Sequence, residues 1–157
     1  ETYKLAAIRA ELTAPDTPHV KCAIYGATVT ETLGASPTLV APFTNLLHNS
    51  DAADWTPALM NGSITRLLNG DATTRTRVAL AGLVAGAAAS EVAIGIYAGG
   101  TIVGNRALVA VTGAGTPIAF EVGATHVAAL DTVYDVRATG TPGDYIFSGL
   151  TLTAQQV

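Results

Sequence analysis

Short runs of Val, Ile, Leu and Ala, each cut by a Gly-, Pro- or Asp-bearing turn, fill the second half of the chain: Ser63–Leu68, Thr74–Val84, Glu91–Ala98, Thr101–Val111, Pro117–Val122, Thr132–Thr139 and Tyr145–Thr153. They recur at roughly the 8–12-residue interval of an antiparallel sandwich or barrel. Inside them the period is two. Val78, Leu80, Gly82 and Val84 fall on one face of a strand and Arg75, Arg77, Ala79 and Ala81 on the other, while Val92, Ile94 and Ile96 oppose Glu91, Ala93, Gly95 and Tyr97. This alternation predicts a core of Val78, Leu80, Val92, Ile94, Ile96, Phe120, Val133, Leu150 and Leu152.

Turn chemistry supports the division. Gly99-Gly100 between two apolar runs predicts a two-residue hairpin, because glycine supplies the positive φ angles of a primed turn. Leu130-Asp131 and Pro142-Gly143-Asp144 mark two later turns. Helical periodicity is nearly absent after residue 18, and a parallel sheet needs crossover helices, so the fold is expected to be all-β: an antiparallel β-sandwich.

The first half is less regular. In residues 1–18, Leu5, Ala6, Ala7, Ile8, Ala10 and Leu12 suit one short helix or an extended arm, stopped by Pro15 and Pro18. His19–Thr32 reads as extended, and Thr38–Leu47 as a strand holding Pro42, hence at an edge or bulge. His48–Asn61 is the longest polar interruption and is expected to be an exposed loop. The plan is an N-terminal arm, residues 1–18, and one domain, residues 19–157.

Composition sharpens the picture. The chain of 157 residues is 49% hydrophobic and only 13% charged, too little charge to cover its surface, so part of that surface is expected to lie against other subunits. A formal charge of −4 argues against a phosphate backbone as partner, so no nucleic acid is expected. The longest low-charge run, Val78–Ser90, is too short for a bilayer and is broken by Gly82 and Gly86, so no membrane partner is expected. Tyr3–Leu12 carries Lys4, Arg9 and Glu11 and does not read as a secretory leader, and Cys22 is the single cysteine, so assembly inside a cell is the expectation.

Catalytic patterns are weak. His19, His48 and His126 are far apart and lack ligand spacing; Asp51, Asp54 and Asp71 lack calcium-loop spacing. Ser50, His48 and Asp51 come without a nucleophile elbow, and Gly113-Ala114-Gly115-Thr116 lacks the Lys-Ser/Thr ending of a phosphate loop. No enzyme activity, cofactor or metal is therefore expected. Arg75 and Arg77 share a face that Arg66 and Arg106 are expected to approach, with Glu91, Glu121 or Asp135 as partners. Trp55 reads as the anchor of its loop.

The order of elements resembles a known family. Thr38-Leu39-Val40, the loop to Trp55, Gly62-Ser63-Ile64-Thr65, the strand Thr74–Gly82, the hairpin Ile94–Gly104, the step Leu130–Val136 and the closing Phe147–Leu152 are together similar to the tumour-necrosis-factor/complement-like jelly roll, in the form used by tailed-bacteriophage head-decoration and fibre proteins. The resemblance covers roughly residues 28–157. It implies a homotrimeric capsid decoration or cement protein on the virion surface, assembled in the host cytoplasm. Its partners would be itself and the major capsid protein or other virion proteins, with Leu5, Ile8 and Leu12 of the arm burying apolar area in one of them. The alternative it implies is a fibre-tip or receptor/carbohydrate-binding domain, with a ligand rim of Asn49, Asp51, Asp54 and Trp55 joined by the turn Gly140–Asp144.

Overall fold

The computed structural model describes residues 20–50, 52–67, 75–127 and 131–157. Eleven strands follow in order: β1 (Val20–Leu33), β2 (Thr38–Leu39), β3 (Asn45–Asn49), β4 (Trp55–Ala58), β5 (Ser63–Arg66), β6 (Arg75–Gly86), β7 (Ser90–Ala98), β8 (Thr101–Val111), β9 (Ile118–Val127), β10 (Thr132–Gly140) and β11 (Gly143–Gln156). A 3-10 turn, Leu59–Asn61, joins β4 to β5. One sheet has the order β3-β1-β11-β6-β9; the other runs β4-β5-β10-β7-β8, with β2 paired beside β10. Every pairing is antiparallel. Apart from the β4–β5 connection and the β7–β8 hairpin, each chain connection from β2 to β11 crosses from one sheet to the other. This wrapping makes the sandwich, which the hydrophobic pattern anticipates, a jelly roll, which the family resemblance implies.

Alternation builds the core. Val78, Leu80 and Val84 of β6, Leu150 and Leu152 of β11, and Ile24 of β1 face Ile64, Val92, Ile94, Ile96, Tyr134 and Val136 of the opposite sheet, and all twelve are fully buried. Gly82 shares the inward face of β6 because a Cβ there would stand 2.8 Å from Leu150 Cδ2, beside the irregularity in the β6–β11 pairing. Gly99 and Gly100, with φ of 56° and 85°, form the tight hairpin between β7 and β8. A different glycine closes one side of the sandwich: Gly104 of β8 has φ 74°, and a Cβ there would lie 2.6 Å from that of Ala124 on β9.

Three expectations are corrected. Val133 is 38% exposed: β10 turns Tyr134, Val136 and Ala138 inward, and the opposite phase puts Val133, Asp135 and Arg137 outside. Thr38–Leu47 is not one strand. The chain changes sheets there: β2 pairs with β10, Val40 N–H donates to Val136 O, and after the cis Ala41–Pro42 peptide Thr44 N–H donates to Tyr25 O. His48–Asn61 is only in part a loop: its first two residues close β3, Trp55–Ala58 form β4 and Leu59–Asn61 the 3-10 turn, and both strands lie at sheet edges, where outward positions tolerate polar residues. Pro57 sits on that β4 edge, where no ladder donor is required.

β1 and β11 lie side by side along their length, so Val20 pairs with Gln155 at one end of the sandwich and Leu33 with Gly143 at the other. We call these the Trp55 end and the Tyr145 end. The two sides of β10 give a direct test of this architecture: Val136→Ala, on the buried side, should cost about 1.5–3 kcal/mol of unfolding free energy and Val133→Ala, on the outer side, under about 1 kcal/mol, measured by urea denaturation. Equal losses would contradict the assigned phase of β10.

Candidate functional site

Two features stand out from the sandwich: a polar layer between the sheets at the Trp55 end, and the outward face of the five-stranded sheet.

The polar layer follows from strand register. Arg66 is the last residue of β5 and lies directly between Trp55 on β4 and Thr132 on β10, with its side chain turned inward like that of Ile64 two residues earlier. Its guanidinium carbon stands 4.4 Å from the centre of the Trp55 ring, a cation–π contact in which both residues are at most 3% exposed. Nη1 donates to Asp54 Oδ2 at 3.4 Å. Asn49 Nδ2 donates to the Trp55 carbonyl at 3.2 Å, and Leu67 N–H donates to the Asp54 carbonyl at 2.7 Å, so the short turn is pinned from both sides.

Across the interior, Thr76 of β6 pairs with His126 of β9, and both turn toward Tyr134 of β10. The Tyr134 hydroxyl shares a hydrogen bond with His126 Nδ1 at 3.0 Å, the rings meeting edge to face. Burial pushes the Tyr134 phenol up from its ordinary value, opposed in part by the nearby Thr76 hydroxyl and the Arg66 charge. Thr76 Oγ1 is close enough to soften that shift but makes no well-aligned hydrogen bond of its own.

Of the rim residues, Asn49, Asp54 and Trp55 do come together, but Trp55 has no solvent-facing surface and cannot serve as a stacking platform. Its role in the structure is to fasten β4 and the adjoining turn. Asp51 lies outside the described residues, as do the arm positions Leu5, Ile8 and Leu12, His19 and Asp71. The turn Gly140–Asp144 cannot complete the rim. Ser50 N–H donates to Lys21 O at the Trp55 end, whereas Gly140 N–H donates to Gly34 O at the other, a separation of roughly 40 Å along β1.

Arg66 does not join Arg75 and Arg77 either: it is buried between the sheets, while those two are exposed on the outer face of β6. Asp135 pairs instead with Arg137 two residues along β10, accepting from Nε at 2.9 Å and Nη2 at 3.0 Å, and this carboxylate raises the Arg137 pKa further. Strand phase, which the spacing of the arginines alone does not reveal, decides both outcomes. Among the described residues no cluster of three or more His, Cys, Asp or Glu side chains is placed to hold a metal ion. No helix among them is long and apolar enough to cross a membrane.

The outward face of the five-stranded sheet is built of small and uncharged side chains at its centre. Tyr25, Thr151 and Ala81 stand in one cross-strand row that ends in Glu121; Ala23, Thr153, Ala79 and Gly123 form the next, and Ser148, Leu83 and Ala119 another. Leu83 is 38% and Ile146 40% exposed. A shallow trough of about 510 Å³ runs over Ala79 and Gly123 between Arg77 and Glu121.

No protein-family model and no curated protein matches the sequence. Among solved structures, the chain is similar to the PRD1 vertex protein at 10% identity, covering 88% of this chain and 99% of that one with a TM-score of 0.48. It is similar to the globular domain of a zebrafish complement 1qA protein at 13% identity, covering 85% and 95% with a TM-score of 0.46. For a family 35 carbohydrate binding module from Clostridium thermocellum the identity is 20%, the coverage 87% and 97%, and the TM-score 0.38. The class of protein is therefore set by its own strand order: a jelly-roll β-sandwich.

Cys22, fully buried on β1, supplies a test of the interior beneath the outward face. Burial pushes its thiol from 9.0 to about 11. Below pH 9 the thiol is protonated folded and unfolded alike; between pH 9 and about 11 only the unfolded chain releases the proton, so stability falls as pH rises. Urea midpoints across that window should fall for the wild type and fall less for Cys22→Ala; identical slopes would mean that the thiol is not held in the apolar interior.

Proposed function

We propose that the chain is a virion structural protein, a decoration protein that sits on the outer surface of a tailed-bacteriophage head as a homotrimer and stabilises the shell. The observation that carries this reading is the outward face of the five-stranded sheet. A monomeric domain exposing Leu83 and Ile146 beside Ala79, Ala81 and Ala119, with charge confined largely to the margins, would be prone to non-specific association. Packed around a three-fold axis, the same face brings backbones close through its Ala and Gly positions, and small contacts repeated by symmetry add up. Arg77 and Glu121, on neighbouring strands of that face, offer opposite charges to adjoining subunits.

The likeness of element order to phage head-decoration proteins and the low charge of the chain support the same reading. The remaining contacts of the proposed particle fall to the major capsid protein or other virion proteins, reached through Leu5, Ile8 and Leu12 of the arm. Neither nucleic acid nor membrane enters the proposal, and no catalytic step is assigned. The burial of Trp55 withdraws the aromatic on which a carbohydrate-binding rim would depend.

Light scattering of the purified chain at micromolar concentration should give three times 15.9 kDa. Leu83→Asp should reduce that mass to the monomer while leaving far-ultraviolet circular dichroism unchanged. A wild-type monomer, or a variant that stays trimeric, would sink the proposed interface. Joint replacement of Leu5, Ile8 and Leu12 by Ser should weaken binding to capsids without lowering the urea midpoint; an equal loss of stability would show that these residues belong to the domain and not to an arm.

A further inference from the structure

Of the described carboxylate side chains, Asp54 and Asp135 pair with arginines, Asp144 accepts from Thr32 Oγ1 and Glu31 from Ala41 N–H. Asp131, Glu91 and Glu121 have no hydrogen bond or ion pair among the described residues. Of these three, Asp131 is the one that shares its cavity with a histidine.

That cavity, of about 450 Å³, opens at the Trp55 end between the β7–β8 hairpin, the end of β9 and the start of β10, and its lining includes Ala98, Thr101, His126, Asp131 and Val133. The walls divide by chemistry. Ala98 and the half-buried Val133 form an apolar side, while Asp131 and His126 supply acceptors. Asp131 is stationed there by the backbone: its φ of 53° is the one positive value at a non-glycine position among the described residues, in a region that Asp enters more readily than most.

The imidazole is oriented from behind. His126 Nδ1 meets the hydroxyl of the fully buried Tyr134 at 3.0 Å. When Nδ1 carries the proton and donates it to the Tyr134 oxygen, Nε2 keeps its lone pair. The Tyr134 hydrogen is then free to turn toward the nearby Thr76 Oγ1, which is buried and has no hydrogen-bond partner of its own. Arg66, whose charge is felt at Tyr134, is itself paired with Asp54.

We propose that this cavity binds an organic cation, a guanidinium or primary ammonium on a short apolar stem, with its head between Asp131 and His126 Nε2 and its stem against Ala98 and Val133. A carboxylate answers the charge, and the methylenes of the stem cover apolar side chains that would otherwise meet water. A neutral polar ligand would leave the carboxylate without a counter-charge, and an anion would be repelled by it. The same chemistry is carried by a free amine or guanidine and by a Lys or Arg side chain of a partner protein.

The full chain, isotopically labelled for nuclear magnetic resonance, is titrated with butylammonium chloride, butylguanidinium chloride and the end-blocked tripeptide Gly-Arg-Gly. Sodium chloride at matched ionic strength and end-blocked Gly-Gln-Gly serve as controls. At least one cation should give saturable shifts of the His126 ring and the Val133 methyls, with the ring nitrogens moving toward the tautomer protonated at Nδ1, and the controls should give neither. Asp131→Asn, which keeps a residue tolerant of the left-handed region, should bind several-fold more weakly. A tripeptide several-fold tighter than butylguanidinium assigns the site to a partner's side chain; equal or weaker binding assigns it to a free cation. Absence of a saturable shift with all three cations overturns the proposal, and so does undiminished binding by Asp131→Asn. If that variant does not fold, the wild-type tautomer decides: saturation with the ring moving toward protonation at Nε2 overturns the proposed placement of the head.

Discussion

Two sheets share a single apolar layer, and every inward side chain of one must find its place among those of the other. This interdigitation fixes the molecule. Leu80, Leu150 and Leu152 on one sheet and Ile94, Ile96 and Tyr134 on the other admit one strand phase each, because a slip by a single residue would turn each buried set to solvent. The requirement reaches the backbone as well: Gly82 yields its side-chain volume to Leu150, and Gly104 allows β8 and β9 to approach where the layer closes.

Much of this was legible in the chain. The runs from Ser63 to Thr153 locate β5 to β11 to within a few residues, since period-two alternation is a local property and Gly99-Gly100 is a local turn signal. The first half was harder for a physical reason: between Leu39 and Asn45 the backbone passes from one sheet to the other, and no hydrophobic period marks such a passage. Val133 was misplaced because Val133, Tyr134 and Val136 are all apolar enough for a core, and only the partner strand decides the phase.

The polar layer shows a further limit of sequence reading. Trp55, Arg66, Thr76, His126 and Tyr134 are spread over 80 positions and follow no motif; register and sheet order bring them together. A single arginine inside the short run Ser63–Leu68 is the one signal in the sequence, and it resembles the exposed arginines of β6 until its phase is known. Conversely, the outward face of the five-stranded sheet was foreshadowed by composition: a chain with 13% charged residues must leave some broad surface uncharged, although composition does not say which.

The antiparallel neighbourhood of β1 and β11 has a topological consequence. With Val20 beside Gln155, a linker of a few residues could join the described ends, and the chain could be reopened in the 112–117 turn at the far end without cutting any strand. The same circular order of strands would then be read from a new starting point, and both new ends would emerge on the side opposite to the old ones. The connectivity of this jelly roll is thus closer to a ring than to a line, and the direction in which its tails leave is separable from the core that it encloses.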